Sequence, residues 1–273
     1  MTDTENFHGR VNVTCRDDVA YVTLARPDKH NGLDWDMFCG LIAAARALRK
    51  NRSLRAVILR GEGPSFCSGL DVPSFFSQPT KALRIFLKYG VRTTNIAQEA
   101  AWCWRRLSVP VIAVLHGRCY GGGLQIALAA DFRYATPDCE LSVMEVKWGL
   151  VPDMTGTVTL RELLPMDVAK ELAMTGRVFD AAEAKALNLV SGVADNPLAA
   201  AETLVATIKT RSPDAIAGVK ALFDQTWNAP VADAFAVESR IQMKMFMSRN
   251  QRIAARANLA RQTPKYVARK FDA

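Results

Sequence analysis

The chain has 273 residues, of which 49% are hydrophobic, and it carries 35 Lys and Arg against 27 Asp and Glu. Its length predicts one or two domains with a sizeable core, and its composition excludes disordered, collagen-like and coiled-coil classes. The net charge of +8 favours anionic ligands, without distinguishing a nucleic acid, a membrane surface or a phosphorylated cofactor.

The first elements predicted along the chain are two β-rich segments at residues 11–15 and 19–25, with a hairpin turn at 16–18. A helical pattern at 35–50 leads into a buried strand at 56–59. Because this order is strand, helix, strand, it predicts a parallel pair joined by a crossover.

The middle of the chain continues the alternation of strands and helices. Residues 81–107 predict a long helix, and an apolar strand at 109–115 follows it. A glycine cluster, a short helix and a strand at 132–135 come next. From residue 157 onward helices dominate, with starts suggested by Asp180, Ser212 and Pro230. The fold class is therefore predicted as α/β with a helical C-terminal third.

The cysteines, the N-terminus and the basic C-terminal stretch give no sign of a metal, membrane or nucleic-acid site. The six cysteines form no CxxC pair or zinc-finger pattern, so we expect reduced thiols and no metal. Residues 1–10 lack the apolar segment of a secretory signal, and no apolar run approaches the ~18 residues of a membrane span. Basic residues 252–270 could face phosphates, but without interleaved aromatic side chains a solvated helix face is favoured. We expect a cytoplasmic protein.

Two loops could carry chemistry. Residues 121–123 are three glycines that follow a strand and open a helix, where bare N–H groups can bind an anion; a packing turn is equally supported. Residues 65–71 form a second loop at the carboxyl edge of the predicted sheet, where ligands collect. His116 lies three residues before Cys119, so a thiol nucleophile is an alternative, although a buried structural cysteine is favoured.

Four motifs stand in order along the chain: Arg26-Pro27-Asp28-Lys29-His30-Asn31, Phe66-Cys67-Ser68-Gly69-Leu70-Asp71, His116-Gly117-Arg118-Cys119-Tyr120-Gly121-Gly122-Gly123 and Asp131-Phe132-Arg133. In order and spacing they resemble the enoyl-CoA hydratase/isomerase (crotonase) family, and the match covers residues 11–266. It continues through Thr175-Gly176-Arg177 and residues 181–190, with Asn188 where family members carry glycine.

The resemblance implies a crotonase-like spiral of ββα turns with a helical C-terminal trimerisation region. It implies a core at residues 1–200 and a helical region at 201–273 for oligomerisation and active-site capping. The partners it implies are an acyl-CoA substrate, carried as a coenzyme A thioester without a prosthetic group, and further copies of the chain in a homotrimer or a dimer of trimers. No nucleic-acid or membrane partner is expected.

The resemblance also assigns roles to particular residues. The backbone N–H groups of Leu70 and Gly122 match the family's oxyanion hole, where losing one donor typically costs ~2.7–4 kcal/mol of transition-state stabilisation. The remaining substrate-binding candidates in these loops are Ser68, Asp71, Gly121 and Gln125. Residues 71–100 are expected to build much of the acyl pocket, and Trp148 and the Phe75-Phe76 pair are candidates to line it or to pack.

The acidic residues decide which reaction is expected. Family hydratases use two glutamates, and Gln125 stands in place of the first; an amide cannot exchange a proton at neutral pH. Glu145 matches the second, and the spacing to Asp153 resembles dienoyl-CoA isomerases. We therefore predict double-bond isomerisation by Glu145 and Asp153, with hydration second and a non-catalytic acyl-CoA binding protein third. Without the family resemblance, the local sequence would indicate a surface carboxylate at Glu145 and a turn residue at Asp153.

Overall fold

The computed structural model describes residues 4–77, 79–88 and 93–272. The strands are β1 (Thr4–Phe7), β2 (Val11–Arg16), β3 (Val19–Leu24), β4 (Ala56–Gly61), β5 (Val111–Leu115), β6 (Arg118–Tyr120), β7 (Phe132–Ala135), β8 (Glu140–Ser142), β9 (Phe179–Asp180) and β10 (Gly192–Val193). The helices are α1 (Trp35–Arg49), α2 (Val72–Ser77), α3 (Pro79–Phe86), α4 (Ile96–Arg105), α5 (Gly122–Leu128), α6 (Gly156–Leu163), α7 (Met166–Thr175), α8 (Ala181–Ala186), α9 (Pro197–Lys209), α10 (Pro213–Thr226), α11 (Val231–Phe246) and α12 (Arg249–Leu259). Short 3₁₀ turns lie at Pro27–Lys29 and Glu145–Trp148. The predicted α/β class is confirmed.

The larger sheet has seven strands in the order β1-β2-β3-β4-β5-β7-β10. Its first three strands are antiparallel and the rest are parallel, so the predicted hairpin and the predicted parallel pair are both confirmed. Asp17 and Asp18 turn the hairpin in the left-handed region, at φ 50° and 61°, which a short polar side chain tolerates. The strand β1 was not predicted.

A smaller sheet of three strands, in the order β6-β8-β9, carries the segments on either side of the glycine cluster. The strands β6 and β8 run parallel and have only three residues each. Strands this short show no alternation that a sequence pattern could reveal. This sheet was therefore not predicted, although the sheet positions the loops of the candidate site.

The predicted long helix at 81–107 is wrong; its residues 89–92 lie outside the described residues. The helix α3 ends at Phe86, and α4 begins after Asn95. Asn95 Oδ1 accepts from the Gln98 N–H at 2.8 Å, and Gln98 Oε1 accepts from the Asn95 N–H at 3.1 Å. This reciprocal capping box satisfies two free amides and so favours a new helix start at this point.

Apolar side chains between the larger sheet and its helices form the main core. The helix α1 is capped by Asp34, which accepts from the Met37 N–H at 2.8 Å, and it buries Phe38 and Leu41. Trp104 of α4 and Phe66 of the loop after β4 are fully buried in the same core. Burying each such side chain contributes about 1.5–3 kcal/mol, so the core holds the loop in place.

The C-terminal third is helical, as predicted. Asp180 caps α8, Ser212 caps α10, and Pro230 precedes α11, so all three predicted starts are confirmed. Asn188 adopts φ 60°, a left-handed conformation that asparagine tolerates nearly as readily as glycine. Residue 200, the proposed end of the core, lies inside α9, which packs against the larger sheet. The division at 200 stays a prediction.

The basic C-terminal stretch is in part the predicted solvated helix face, because Arg252 and Arg256 are exposed on α12. The helix α12 ends at Leu259, and the chain beyond it is irregular. Arg269 is buried, donates to the Phe271 carbonyl at 2.6 Å and pairs with Asp272 at 2.9 Å. This segment thus belongs partly to the packed structure. Across residues 4–77, 79–88 and 93–272, none of the helices is long and apolar enough to cross a membrane.

Asp214, at the start of α10, connects residues 270 and 271 to the C-terminal helices. Its carboxylate accepts from Ser248 at 2.6 Å, from Asn250 at 2.9 Å and from the Lys270 and Phe271 amides at 2.7 and 2.8 Å. Burial alone would favour the neutral acid, but these hydrogen bonds outweigh it and lower the pKa of Asp214.

We expect Asp214→Ala to cost about 3 kcal/mol of unfolding free energy, because it leaves buried donors unpaired. Urea unfolding at pH 7 measures this loss. Since the folded-state pKa is lowered, the wild-type advantage is present at neutral pH and shrinks as the pH falls below the usual range of an aspartic acid. An advantage that persisted unchanged at pH 2 would contradict this assignment.

Candidate active site

Three segments meet around one narrow cleft: the loop after β4, the glycine turn before α5, and the 3₁₀ turn after β8. Each follows a strand, so the sheets fix where each one starts. The cleft is lined by Ser68, Gly69, Leu70, Val72, Gly121, Gly122, Met144, Glu145, Trp148 and Leu150. Among the predicted site residues, the structure thus brings Ser68, Leu70, Gly121, Gly122 and Glu145 together.

The orientation of the Leu70 amide follows from a parallel β-bridge with Leu33. The Leu33 N–H donates to the Gly69 carbonyl at 2.8 Å, and the Asp71 N–H donates to the Leu33 carbonyl at 3.1 Å. In such a bridge the flanking residues make the bonds, so the N–H of Leu70 itself points away from Leu33. Within the described residues, no acceptor lies against it.

The Gly122 amide is the first of α5 and has no acceptor within its helix. The preceding Gly121 has φ 50°, and its N–H donates to the Ser142 carbonyl at 2.9 Å, which ties the turn to β8. A Cβ placed on Gly69, whose φ is 88°, would lie 2.9 Å from the Tyr120 carbonyl oxygen and 3.6 Å from the Gly122 nitrogen. Only glycine permits this approach, which sets the Leu70 and Gly122 amides along the same cleft.

Glu145 supplies the carboxylate of the cleft. Its Oε1 accepts from Gln125 Nε2 at 2.6 Å, and its Oε2 is buried without a hydrogen-bond partner among the described residues. Burial raises the pKa of Glu145 and the negative charge of Asp153 adds to the increase, while the backbone hydrogen bond of Glu145 and the Gln125 hydrogen bond oppose it. Glu145 is therefore no surface carboxylate, and a raised pKa suits a group that accepts and returns a proton.

Gln125 is buried against Glu145, and the proposal that it binds substrate stays a prediction. Its side chain is only 2% exposed, and Oε1 accepts from the Met154 and Gly156 amides at 2.8 and 2.9 Å. Both acceptor positions of this oxygen are occupied by backbone donors. The Gln125 side chain is thus committed to protein contacts.

The Asp71 side chain also binds other side chains of the protein. Its Oδ2 pairs with Arg26 at 2.7 Å and accepts from Ser74 Oγ at 2.7 Å, at the start of α2. Burial favours the neutral acid, but the Ser74 and Arg26 hydrogen bonds outweigh it and lower the pKa of Asp71. The Asp71 side chain therefore fastens the loop that presents Leu70, and its binding of substrate stays a prediction.

Asp153 is half-buried and does not line the cleft. Burial raises its pKa, and its charge acts on Glu145, so the two carboxyl groups are electrostatically linked. Trp148 lines the mouth of the cleft and is 60% exposed, whereas Phe75 and Phe76 lie outside it. Val72 belongs to residues 71–100, which were expected to build the acyl pocket, whereas the sequence reasoning missed Met144 and Leu150; the only signal was their apolar character beside predicted site residues.

The alternative thiol site is excluded by burial. Cys119 is fully buried, and desolvation raises the pKa of its thiol well above the usual range. His116 Nε2 is 2.9 Å from the Gly63 carbonyl, so its ring is paired with another loop. A neutral, enclosed thiol is a poor nucleophile. In the part of the chain that the structure describes, no group of three or more His, Cys, Asp or Glu side chains converges as metal ligands do.

Comparison with known proteins agrees with this geometry. The family model of enoyl-CoA hydratase/isomerase matches residues 14–268. A peroxisomal Delta(3,5)-Delta(2,4)-dienoyl-CoA isomerase of Arabidopsis thaliana is 30% identical, over 91% of this chain and 92% of the relative. The enoyl-CoA hydratase EchA19 of Mycobacterium tuberculosis is 28% identical, with the same coverage of 91% and 92%.

Solved structures show the same fold. An enoyl-CoA hydratase from Mycobacterium tuberculosis H37Rv superposes with a TM-score of 0.84 at 30% identity, over 94% of this chain and 98% of that one. The chain therefore belongs to the enoyl-CoA hydratase/isomerase family and has the crotonase fold that the motifs implied. Both hydratases and isomerases stand among its relatives.

Proposed function

We propose that this protein isomerises the double bond of an enoyl- or dienoyl-CoA. The observation that carries the proposal is Glu145 Oε2, a buried carboxylate oxygen without a partner in the described structure, on a residue that lines the same cleft as the Leu70 and Gly122 amides. The substrate would enter as a coenzyme A thioester, with no prosthetic group. The thioester makes the neighbouring C–H acidic enough for a carboxylate to remove its proton.

The proposed reaction with a 3-enoyl thioester has two steps. Glu145 removes a proton from C2, and the electron pair moves toward the thioester oxygen, which the Leu70 and Gly122 amides stabilise as an enolate. Glu145 then returns the proton to C4, so the double bond moves from C3–C4 to C2–C3. Atoms and charge balance without any further reactant. For a dienoyl substrate, Asp153 would serve as a second proton carrier.

Because residue 125 is a glutamine, we keep hydration as the second candidate function. Adding water requires one group to activate it and another to deliver a proton. The Gln125 amide cannot exchange a proton, and its oxygen already accepts two backbone amides. A hydratase would therefore have to recruit Asp153. The third candidate, a non-catalytic acyl-CoA binding protein, would use the two amides without the acid.

Assembly of several copies remains part of the proposal. Large apolar side chains stand exposed on α10, directly after it and on α11, among them Phe223, Trp227 and Phe235 at 54%, 61% and 61% exposure. Exposed apolar area of this kind marks an interface. A homotrimer or a dimer of trimers would cover it, and light scattering of the purified chain measures the mass.

Product analysis tests the proposed reaction. The wild type is incubated separately with 3-enoyl-, 3,5-dienoyl- and 2-enoyl-CoA, and products are separated by chromatography with mass detection. Migration of the double bond without a change in mass is the expected result. A product heavier by one water from 2-enoyl-CoA, at the greater rate, would make hydration the function. Tight binding with no turnover of any thioester would favour the binding protein.

A further inference from the structure

The Gln125 side chain joins two segments of the candidate site and has a fixed orientation. Its Oε1 lies against two N–H donors, Met154 at 2.8 Å and Gly156 at 2.9 Å, so the NH₂ group must be the one that faces Glu145. The reverse orientation would bring donors against donors at both backbone positions. The hydrogen-bond network thus leaves Gln125 one role toward Glu145, that of a donor.

Two glycines allow the contact to be this close. A Cβ on Gly156 would lie 2.7 Å from Gln125 Oε1, and a Cβ on Gly121 would lie 3.2 Å from Glu145 Oε1. Any side chain at Gly156 would displace the Gln125 amide. The space around the pair is therefore shaped for an amide and a carboxylate in contact, with little freedom for either to rotate.

This arrangement makes the two oxygens of Glu145 unequal. Oε1 is held by Gln125 at 2.6 Å, whereas Oε2 is buried and has no partner among the described residues. We propose that Gln125 is a positioning residue that holds Glu145 by Oε1, so that Oε2 alone takes and returns the substrate proton. The proposal rests on the function proposed above, because it concerns the same carboxylate.

The same contact fixes Asp153 relative to Glu145. Asp153 directly precedes Met154, whose amide binds Gln125, so the segment that carries the second carboxyl is anchored to the residue that holds the first. Of the described titratable groups, Asp153 is the one whose charge acts on Glu145. The backbone hydrogen bond of Glu145 and the Gln125 hydrogen bond favour the ionised form of Glu145, while burial and Asp153 oppose it. Removing the donor should therefore make Glu145 harder to ionise.

The test uses Gln125→Met, which keeps similar length but has neither donor nor acceptor, and Gln125→Glu, which keeps the acceptor for both backbone amides. Exposed Gln262→Met is the matched control. For Gln125→Met we expect kcat for double-bond migration at pH 7 to fall about 100-fold, as for a small misplacement of a reacting group. KM should change less than about twofold, and the acidic limb of the pH profile should move to higher pH.

The Gln125→Glu variant distinguishes a loss of positioning from a folding defect. Its carboxylate can still accept from the Met154 and Gly156 amides, so we expect its melting temperature to lie closer to the wild type than that of Gln125→Met. Its second oxygen would face Glu145 Oε1 at about the present contact distance, where two negative charges cannot both persist. The pair should share a proton, and the pH profile of kcat should shift relative to the wild type.

A carboxyl ¹³C NMR titration of Glu145, assigned with Glu145→Gln, separates this proposal from the proposed function because it needs no turnover. A higher pKa of Glu145 in Gln125→Met than in the wild type supports the positioning role, even if no thioester is converted. An unchanged titration together with an unchanged pH profile in Gln125→Met would overturn it, whatever reaction the wild type performs.

Discussion

Glu145→Gln is expected to lower kcat for double-bond migration by about 10²–10⁴-fold, the usual contribution of a positioned general acid–base group. The amide can still accept from Gln125 Nε2 through Oε1, so the contact at 2.6 Å is preserved while the proton-carrying oxygen is lost. KM should change little, because Glu145 is proposed to act on the reacting carbons and not on the coenzyme A portion. Steady-state kinetics at pH 7 measure both constants.

The same variant should gain stability. Because burial raises the pKa of Glu145, the folded state binds its proton more readily than the unfolded state, so stability falls as the pH rises through this range. Replacement by a neutral amide removes that cost, and we expect a higher melting temperature than the wild type at pH 7 and a smaller difference near pH 4. Asp153→Asn should lower the pKa of Glu145, because it removes the negative charge that helps to raise it. Equal kcat in Glu145→Gln and the wild type would remove Glu145 from the mechanism.

Gly69→Ala is expected to lower kcat by about 10²–10³-fold, the typical effect of losing one oxyanion donor. Gly69 has φ 88°, and its new Cβ would lie 2.9 Å from the Tyr120 carbonyl oxygen. Backbone atoms cannot yield as a flexible side chain can, so the loop must shift and the Leu70 amide must move with it. The loss should fall on kcat, because the Leu70 amide is proposed to act on charge that develops in the transition state.

Gly9→Ala provides the control for backbone strain. Gly9 also has a left-handed conformation, with φ 66°, but nothing lies within 4 Å of a Cβ placed there. Gly9→Ala therefore meets a similar conformational cost without disturbing the cleft, and its kcat should equal that of the wild type. If Gly69→Ala retained full kcat, or if Gly9→Ala lost as much, the Leu70 amide would have no specific role.

The strands and helices with strong periodicity could be predicted from the sequence, and those that depend on local caps or on pairing could not. The hairpin, α1 and the parallel strands follow from apolar patterns that the buried faces require. The predicted helix at 81–107 failed because the capping box at Asn95 starts a new helix inside an otherwise helical pattern. The strands β6, β8 and β9 depend on pairing between segments that are distant in the chain.

In the candidate site, too, some features follow from the local sequence and others depend on residues that are distant in the chain. Leu70, Gly122 and Glu145 line one cleft as the family resemblance implied, because each directly follows a strand or turn that the motifs mark. The directions of Gln125 and Asp71 could not be read from those motifs. Gln125 is held by amides 29 and 31 residues away, and Asp71 is held by Arg26, so only the folded chain brings these partners together.

The most direct test of the central claim follows the hydrogen that Glu145 is proposed to carry. A 3-enoyl-CoA labelled with deuterium at C2 is converted in ordinary water, and the product is examined by mass spectrometry and NMR. Because Glu145 Oε2 is shielded from solvent, the account predicts that part of the deuterium removed from C2 appears at C4. A product in which C4 carries only solvent hydrogen in every turnover would contradict a solvent-shielded carboxylate that both takes and returns the proton.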